Sequence, residues 1–182
     1  MKSLAYRLQH GVQLFNTIYT WVIDGSEQEV LASGDLTQDT LFYSEKKKKP
    51  TINIVAIMSL NFKILYLCPS EPCSIADRQT TDDTKKAWYD LLDEIENGLG
   101  DAGFSGLRQR GWHLDIPPSD RTNPFANVFS SYRIRIEQKF AAVKAWEATT
   151  ARLRTPTRYE ESLLTQHHKI WTVIAVFLND FV

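Results

Sequence analysis

The stretch NVFSSYRIRIEQKF, residues 127–140, alternates apolar and charged side chains, and the predicted fold is built outward from it. In an extended chain, one face would carry Val128, Tyr132, Ile134 and Ile136 towards the core, while the other would carry Arg133, Arg135 and Glu137. A repeat of two residues is the signature of a strand with one face on a core. We therefore predict a central strand here, with a charged outer face.

Composition restricts the classes of protein that the chain can represent. Its 182 residues can bury a core without disulfides or metals, and 43% hydrophobic and 24% charged residues are typical of a globular domain. A formal net charge of -1 argues against general binding to nucleic acid or to an anionic membrane. No apolar run approaches the roughly 18 residues that span a bilayer. We expect no membrane partner and no sequence-specific nucleic acid partner.

The segments before the central stretch predict two helices and a buried pair of strands. Apolar residues recur at steps of three and four over residues 4–22, which predicts an amphipathic helix that ends at Asp24-Gly25. Residues 51–68 carry apolar side chains on both faces and predict either a hairpin or one bent, fully buried strand. A second apolar stripe predicts a helix from residue 81 or 82 to about 97.

The fold class follows from combining these elements. Residues 112–116 predict a short strand, and residues 141–182 predict a C-terminal helix and a final strand, with a helix left open for the last part. Long apolar strands without regular βαβ alternation favour an α+β domain over residues 1–182. We predict a mostly antiparallel sheet flanked by two or three helices.

The candidate motifs for chemistry each have a simpler explanation. His167 and His168 are adjacent, and neighbours on a strand point to opposite faces, so they are poorly placed to chelate one ion. Residues 98–103 fit G-x-G-x-x-G, but the predicted helix before them contradicts the dinucleotide-binding context. The acidic face of the predicted helix is interpreted as either solvated or part of an interface. A deep pocket around His113 and Asp115, or around the two histidines, would instead favour an enzyme.

Cys68 and Cys73 flank Pro-Ser-Glu-Pro and carry little information about function. Two cysteines without a secretion signal favour reduced thiols, although the spacing also permits a bridge. No second pair of ligands at zinc spacing accompanies them, which argues against a structural zinc site. We predict no cofactor and no metal.

Charged residues supply the candidate binding surface. Arginines two residues apart on a strand would face a neighbour together and could hold its carboxylates in bidentate pairs. The candidate interface residues are Arg133, Arg135, Glu137, Asp90, Asp93 and Glu94. The run Lys46, Lys47, Lys48 and Lys49 predicts either a solvated loop or contact with an acidic partner or DNA phosphates.

The order of elements resembles the tail terminator proteins of long-tailed bacteriophages over about residues 1–140. The resemblance rests on the N-terminal helix, the apolar strands ending in Leu67-Cys68-Pro69, the second helix and the strand from Phe125 onward. It implies a virion structural protein without enzymatic activity or cofactor. Such a subunit forms a homohexameric ring that caps the tail tube and contacts the neck connector, after assembly in the host cytoplasm. The alternatives are a monomeric interaction adaptor and a small cytosolic hydrolase.

Overall fold

The computed structural model describes residues 2–14, 16–32, 34–118, 120, 122–153 and 160–181. The strands are β1 Val12–Leu14, β2 Thr17–Glu29, β3 Tyr43–Ser44, β4 Lys49–Ser59, β5 Ile64–Leu67, β6 Glu71–Pro72, β7 Glu96–Leu99 and β8 Leu114–Asp115. The α-helices are α1 Leu4–Gln9, α2 Leu36–Phe42, α3 Asp77–Asp83, α4 Lys85–Trp88, α5 Pro124–Lys144, α6 Glu147–Thr150 and α7 Glu160–Phe181. Short 3-10 turns cover Tyr89–Leu91, Ala102–Phe104 and Arg108–Arg110.

The strands form one open, mixed sheet whose main path is β3-β4-β2-β7-β8. β4 pairs antiparallel with β2 on one side and with β3, β5 and β6 on the other, while β1 pairs antiparallel with β2. β7 runs parallel to β2, and β8 runs parallel to β7. The predicted class, an α+β protein with a mostly antiparallel sheet, is confirmed.

The sheet buries both of its faces, and β4 shows this most clearly. Ile54, Ala56 and Met58 belong to one hydrophobic cluster, whereas Val55 and Ile57 belong to another. The first cluster includes residues of α5 and α7, and the second includes Trp88 and Trp112. Of the two arrangements predicted over residues 51–68, the hairpin is right and the single bent strand is wrong, since β4 and β5 pair across a turn at 59–63.

The central strand predicted over residues 128–140 is wrong, because this segment lies inside helix α5. Among its described side chains, the buried ones are Ala126, Phe129, Ile136, Phe140 and Val143, at the spacing of one helical face. Ile134, which the strand reading placed in the core, is 55% exposed. Over a short window, the alternation of apolar and charged residues fits both the two-residue repeat of a strand and the 3.6-residue repeat of a helix. The helical period wins because it continues to Val143.

Two predicted helices are also wrong. Residues 4–9 form the short α1, residues 12–14 form β1, and residues 17–22 begin β2. Residues 19–23 are all buried, and one face of an amphipathic helix cannot bury five consecutive residues. Residues 81–97 break up into the end of α3, then α4, a 3-10 turn and the start of β7. Strand β8 confirms the middle of the strand predicted over residues 112–116.

The C-terminal segment ends in helix α7, so the final strand predicted there is wrong and the helix that was left open is right. Leu163, Trp171 and Leu178 are buried along one side of α7. Trp171 also donates a hydrogen bond from Nε1 to Oε1 of Gln28 on β2, at 3.2 Å. None of the helices in the described ranges is long and apolar enough to cross a membrane.

A buried ion pair fastens α1 to the sheet. Arg7 and Glu96 are 4% and 1% exposed, and two guanidinium nitrogens donate to the two carboxylate oxygens at 2.6 and 2.7 Å. Glu96 also accepts from Thr20 Oγ1 at 2.8 Å and from the backbone N–H of Asp93 at 2.9 Å. The carboxylate is therefore fully bonded inside the protein.

Gly98 gives a testable constraint on the sheet. An added Cβ would stand 2.3 Å from the indole ring of Trp21, which is fully buried. We expect Gly98→Ala to lower the free energy of unfolding by about 1–3 kcal/mol in urea titrations, because the core is overpacked. Gly34→Ala is the comparison: it has open space but a φ of +81°, so it measures backbone strain alone. An unchanged midpoint for Gly98→Ala would contradict this packing.

Candidate active site

Two aspartates meet at one edge of the parallel strand pair. The parallel register pairs Val22 of β2 with Leu99 of β7, and Asp24 and Asp101 each lie two residues further along the chain. Since side chains alternate between sheet faces, each aspartate starts on the same face as its apolar neighbour two residues earlier. Val22 and Leu99 both face the cluster that contains α5. The register therefore brings two carboxylates to one place beneath this helix.

Helix α5 brings a third carboxylate to the same place. Glu137 follows the buried Ile136 and lines one pocket of about 380 Å³ together with Asp24 and Asp101. The three residues lie far apart in sequence and come from β2, the turn after β7 and α5. We call this space the carboxylate pocket.

A fourth carboxylate, that of Asp77, lies at the start of α3 against the backbone of β2. A Cβ on Gly25 would stand 2.2 Å from Asp77 Oδ2, so only glycine leaves room for this contact. Asn53 on β4 donates a side-chain hydrogen bond to Asp77 Oδ1. Burial raises the pKa of Asp77, and the nearby charges of Asp101 and Glu27 raise it further. The protonation of Asp77 therefore depends on the charges of the neighbouring acidic side chains.

Lysines line the same pocket on the side of the β3–β4 turn. Lys46 and Lys47 come from that turn, and Lys144 comes from the last turn of α5. Burial lowers the pKa of Lys144, and the charges of Lys47 and Lys46 lower it further. The pocket thus places clustered carboxylates next to clustered ammonium groups.

The donor chemistry of the pocket suits a hard divalent cation. Carboxylate oxygens are the ligands that Mg²⁺ and Mn²⁺ prefer. Ser26, which also lines the pocket, has a buried hydroxyl oxygen without a hydrogen-bond partner among the described residues. A bound ion with its water, or a phosphate, would satisfy such an atom. The carboxylates share the space without a finished coordination sphere, since no three described acidic, histidine or cysteine side chains are arranged to hold an ion.

An apolar cavity of about 280 Å³ adjoins the carboxylate pocket and shares Asp24 and Asp101 with it. Its other walls come from the strand ends, the segment after β8 and α5. Among them are Pro117, Pro118, Ala126, Phe129, Tyr132 and Ile136. The acidic edge of the cavity is therefore also the edge of the carboxylate pocket.

The histidine candidates lie elsewhere. His167 is fully buried in α7, where Nδ1 is 2.6 Å from Ser70 Oγ and the ring packs against Trp171. Burial lowers the pKa of His167 to about 3, with a smaller contribution from His168. His113 lines an open recess rather than the carboxylate pocket. Asp115 accepts hydrogen bonds from Tyr19 and Arg108.

The predicted interface residues are divided among three places, and one of them, Glu137, lies in the carboxylate pocket. Asp90, Asp93 and Glu94 line the recess beside His113. Arg135 is exposed on α5, with its guanidinium 5.6 Å from the Phe62 ring centroid. Their role at a subunit boundary stays a prediction. The strand argument that paired the arginines is wrong, because residues two apart on a helix do not face the same way.

The remaining predicted residues are also placed by the structure. Arg133 lies in α5, with its side chain outside the described part of the chain. Lys48 and Lys49 form ion pairs with Glu45 and Glu29. Of the two alternatives for Cys68 and Cys73, the free thiols are observed, and burial raises the pKa of Cys68 to about 12.

The family of the chain agrees with a site of this kind. A model of the DDE superfamily endonuclease family matches residues 23–179, most of the chain, and the chain belongs to this family. No curated protein and no solved structure gives a significant match.

This finding overturns the predicted identity. The resemblance to phage tail terminators is wrong, and so are the predicted structural role at the virion neck and the prediction that the chain is not an enzyme. The family favours the hydrolase alternative instead.

Neither Asp24 nor Asp101 was predicted from the sequence as a candidate site residue, and Glu137 was assigned to an interface. Asp24 was interpreted as a helix end, and Asp101 lay within the rejected glycine motif. A usable signal was present: each aspartate directly follows an apolar segment with a glycine beside it, as in VIDG and GLGD. Acidic residues at the ends of buried strands in one sheet are candidates for a shared site.

Proposed function

We propose that the protein is a transposase-like nuclease that cleaves phosphodiester bonds of DNA with the help of a divalent cation. The observation that supports it is the shared pocket of Asp24, Asp101 and Glu137. The letters of the family name denote two aspartates and a glutamate, and these three residues occur in that order in the chain.

The carboxylates would hold the cation from two sides. Asp24 and Asp101 would bind it from the sheet and Glu137 from α5, with Asp77 as a further acidic neighbour, after these side chains move closer together than they lie in this structure. When bound, a divalent cation stabilises the negative charge that builds up on a phosphate under attack and activates a water molecule. Burial is the main cause of the raised pKa of Asp77, and the bound cation would relieve the smaller contribution that repulsion from Asp101 makes to it.

The lysines would hold the nucleic acid. Lys46, Lys47 and Lys144 place positive charge beside the acidic centre, where a phosphate backbone must pass to reach it. This local patch explains how a chain with a net charge of -1 could bind DNA.

The test is cleavage of supercoiled plasmid by the purified chain with Mg²⁺ or Mn²⁺, and with a chelator as the matched control. We expect nicked and linear product with either metal and none with the chelator. Calorimetry would show binding of Mn²⁺ to the chain without DNA. Absence of both cleavage and metal binding would contradict the proposed function.

The four consecutive lysines at residues 46–49 provide both a test pair and a control pair for DNA binding. We expect Lys46→Ala with Lys47→Ala to weaken binding to a DNA duplex and to reduce the slope of log affinity against log salt by about one per lysine that contacts a phosphate. The control is Lys48→Ala with Lys49→Ala, because these ammonium groups already pair with Glu45 and Glu29. Fluorescence anisotropy at several salt concentrations measures both. Equal slopes for the two double variants would contradict the assignment.

A further inference from the structure

The apolar cavity beside the carboxylates has no part in the proposed chemistry. Its walls combine prolines with Phe129, Tyr132 and Ile136, whereas Asp24 and Asp101 form its acidic edge. A volume of about 280 Å³ is at the small end of ligand sites and suits a single ring system rather than a larger molecule.

We propose that this cavity receives one nucleobase, unstacked from the DNA, whose neighbouring phosphate lies at the carboxylates. The proposal rests on the proposed nuclease function, because it deepens the description of the same site. A base is joined to its phosphate through one sugar, so a phosphate held at Asp24 and Asp101 would leave its base next to the adjoining cavity.

The lining chemistry fits a base better than a lipid or an aliphatic chain. Flat π-systems stack on aromatic side chains, and Phe129 and Tyr132 are both in the wall. A base edge also requires polar partners. Ser130 lines the cavity, and its hydroxyl donates to Ala126 O at 2.9 Å, so its oxygen still has an acceptor lone pair. Enzymes that take a base out of the stack read it in this way.

Binding measurements can test the cavity without any cleavage. The probes are three DNA duplexes of one sequence: fully paired, with a single-base bulge, and with an abasic site at the bulge position. Affinities are measured by anisotropy in Ca²⁺. We expect the bulged probe to bind roughly tenfold or more tightly than the other two, because its base is already unstacked.

Two neighbouring serines of α5 supply the variant and its control. Ser130 and Ser131 both donate to a carbonyl of an earlier turn of the helix, and only Ser130 lines the cavity. We expect Ser130→Leu to remove the preference for the bulge and Ser131→Leu to keep it. Both positions are exposed on a helix that leucine favours, so both variants should fold.

The outcomes separate the two proposals. Equal binding of bulged and abasic probes by the wild-type protein, or a preserved preference in Ser130→Leu, overturns the base site while leaving DNA binding intact. Failure to bind any of the three probes overturns the proposed function and the base site together.

Discussion

Glu137→Gln should abolish metal-dependent cleavage while leaving the protein folded. Glu137 is exposed on α5 and glutamine has nearly the same shape, so the change removes the charge of a proposed cation ligand with little effect on packing. Metal ions contribute several kcal/mol to a transition state of this kind, so we expect a loss of about 10³-fold or more in rate. Plasmid cleavage under single-turnover conditions is the measurement.

The matched control for this change is Glu147→Gln, which removes the same charge from the exposed start of α6. Asp24→Asn and Asp101→Asn should behave like Glu137→Gln. At Asp101 the amide oxygen can still accept the hydrogen bond from the Gly103 N–H, so the local turn is kept. Cleavage by Glu137→Gln at the wild-type rate would remove this residue from the site.

Glu96→Gln should give the largest loss of stability among the changes considered. It leaves the buried Arg7 guanidinium without a counter-charge, and breaking a buried pair costs about 3–5 kcal/mol. For a chain of this length we expect the melting temperature to fall by roughly 10 °C. Glu29→Gln, which disturbs the exposed pairs with Lys49 and Arg152, should have a much smaller effect. Similar falls in melting temperature for Glu96→Gln and Glu29→Gln would show that burial of the Arg7–Glu96 pair does not determine its contribution to stability.

The pH dependence of stability offers a second way to measure the buried ion pair between Arg7 and Glu96. Burial acts to raise the pKa of Glu96, but the hydrogen bonds from Arg7, Asp93 and Thr20 outweigh it, so the pKa is lowered. A carboxylate with a lowered folded pKa stabilises the protein above its unfolded value of about 4.3, and this stability is lost as pH falls through the folded pKa.

His167 has a lowered pKa as well, but it titrates over a different range. It must gain a proton when the protein unfolds in acid, so it destabilises the fold as pH falls from about 6.5 towards 3. Glu96→Gln should therefore flatten the acid limb of the unfolding curve below about 4.3 and leave the higher part unchanged. Urea titrations across this pH range would show the difference.

Sequence patterns predicted the parts of the fold that depend on local chemistry. The hairpin of β4 and β5 was one of two predicted arrangements because its residues are apolar on both faces and Ser59-Leu60-Asn61 interrupts them. Helix α5 was not, because residues 127–140 satisfy a period of two and a helical period alike. Only the continuation to Phe140 and Val143, both buried, decides between them.

The site was less predictable than the fold, since it depends on register. Asp24 and Asp101 come together only because β7 runs parallel to β2 with Val22 opposite Leu99. No local pattern states which strands pair or in which direction. The position of Glu137 depends in turn on how Ile136 and Phe140, in the same helix α5, pack against the sheet.

The tryptophans on the other side of the sheet have a practical consequence. The rings of Trp21 and Trp88 lie 5.3 Å apart at 83°, and those of Trp88 and Trp112 lie 5.4 Å apart at 48°. Indoles this close couple their electronic transitions, so the folded chain carries its own chiroptical reporter. The near-ultraviolet circular dichroism of any site variant can be compared directly with that of the wild type. An unchanged band would show, without an added dye or label, that the packing of these tryptophans on the side of the sheet opposite α5 is intact.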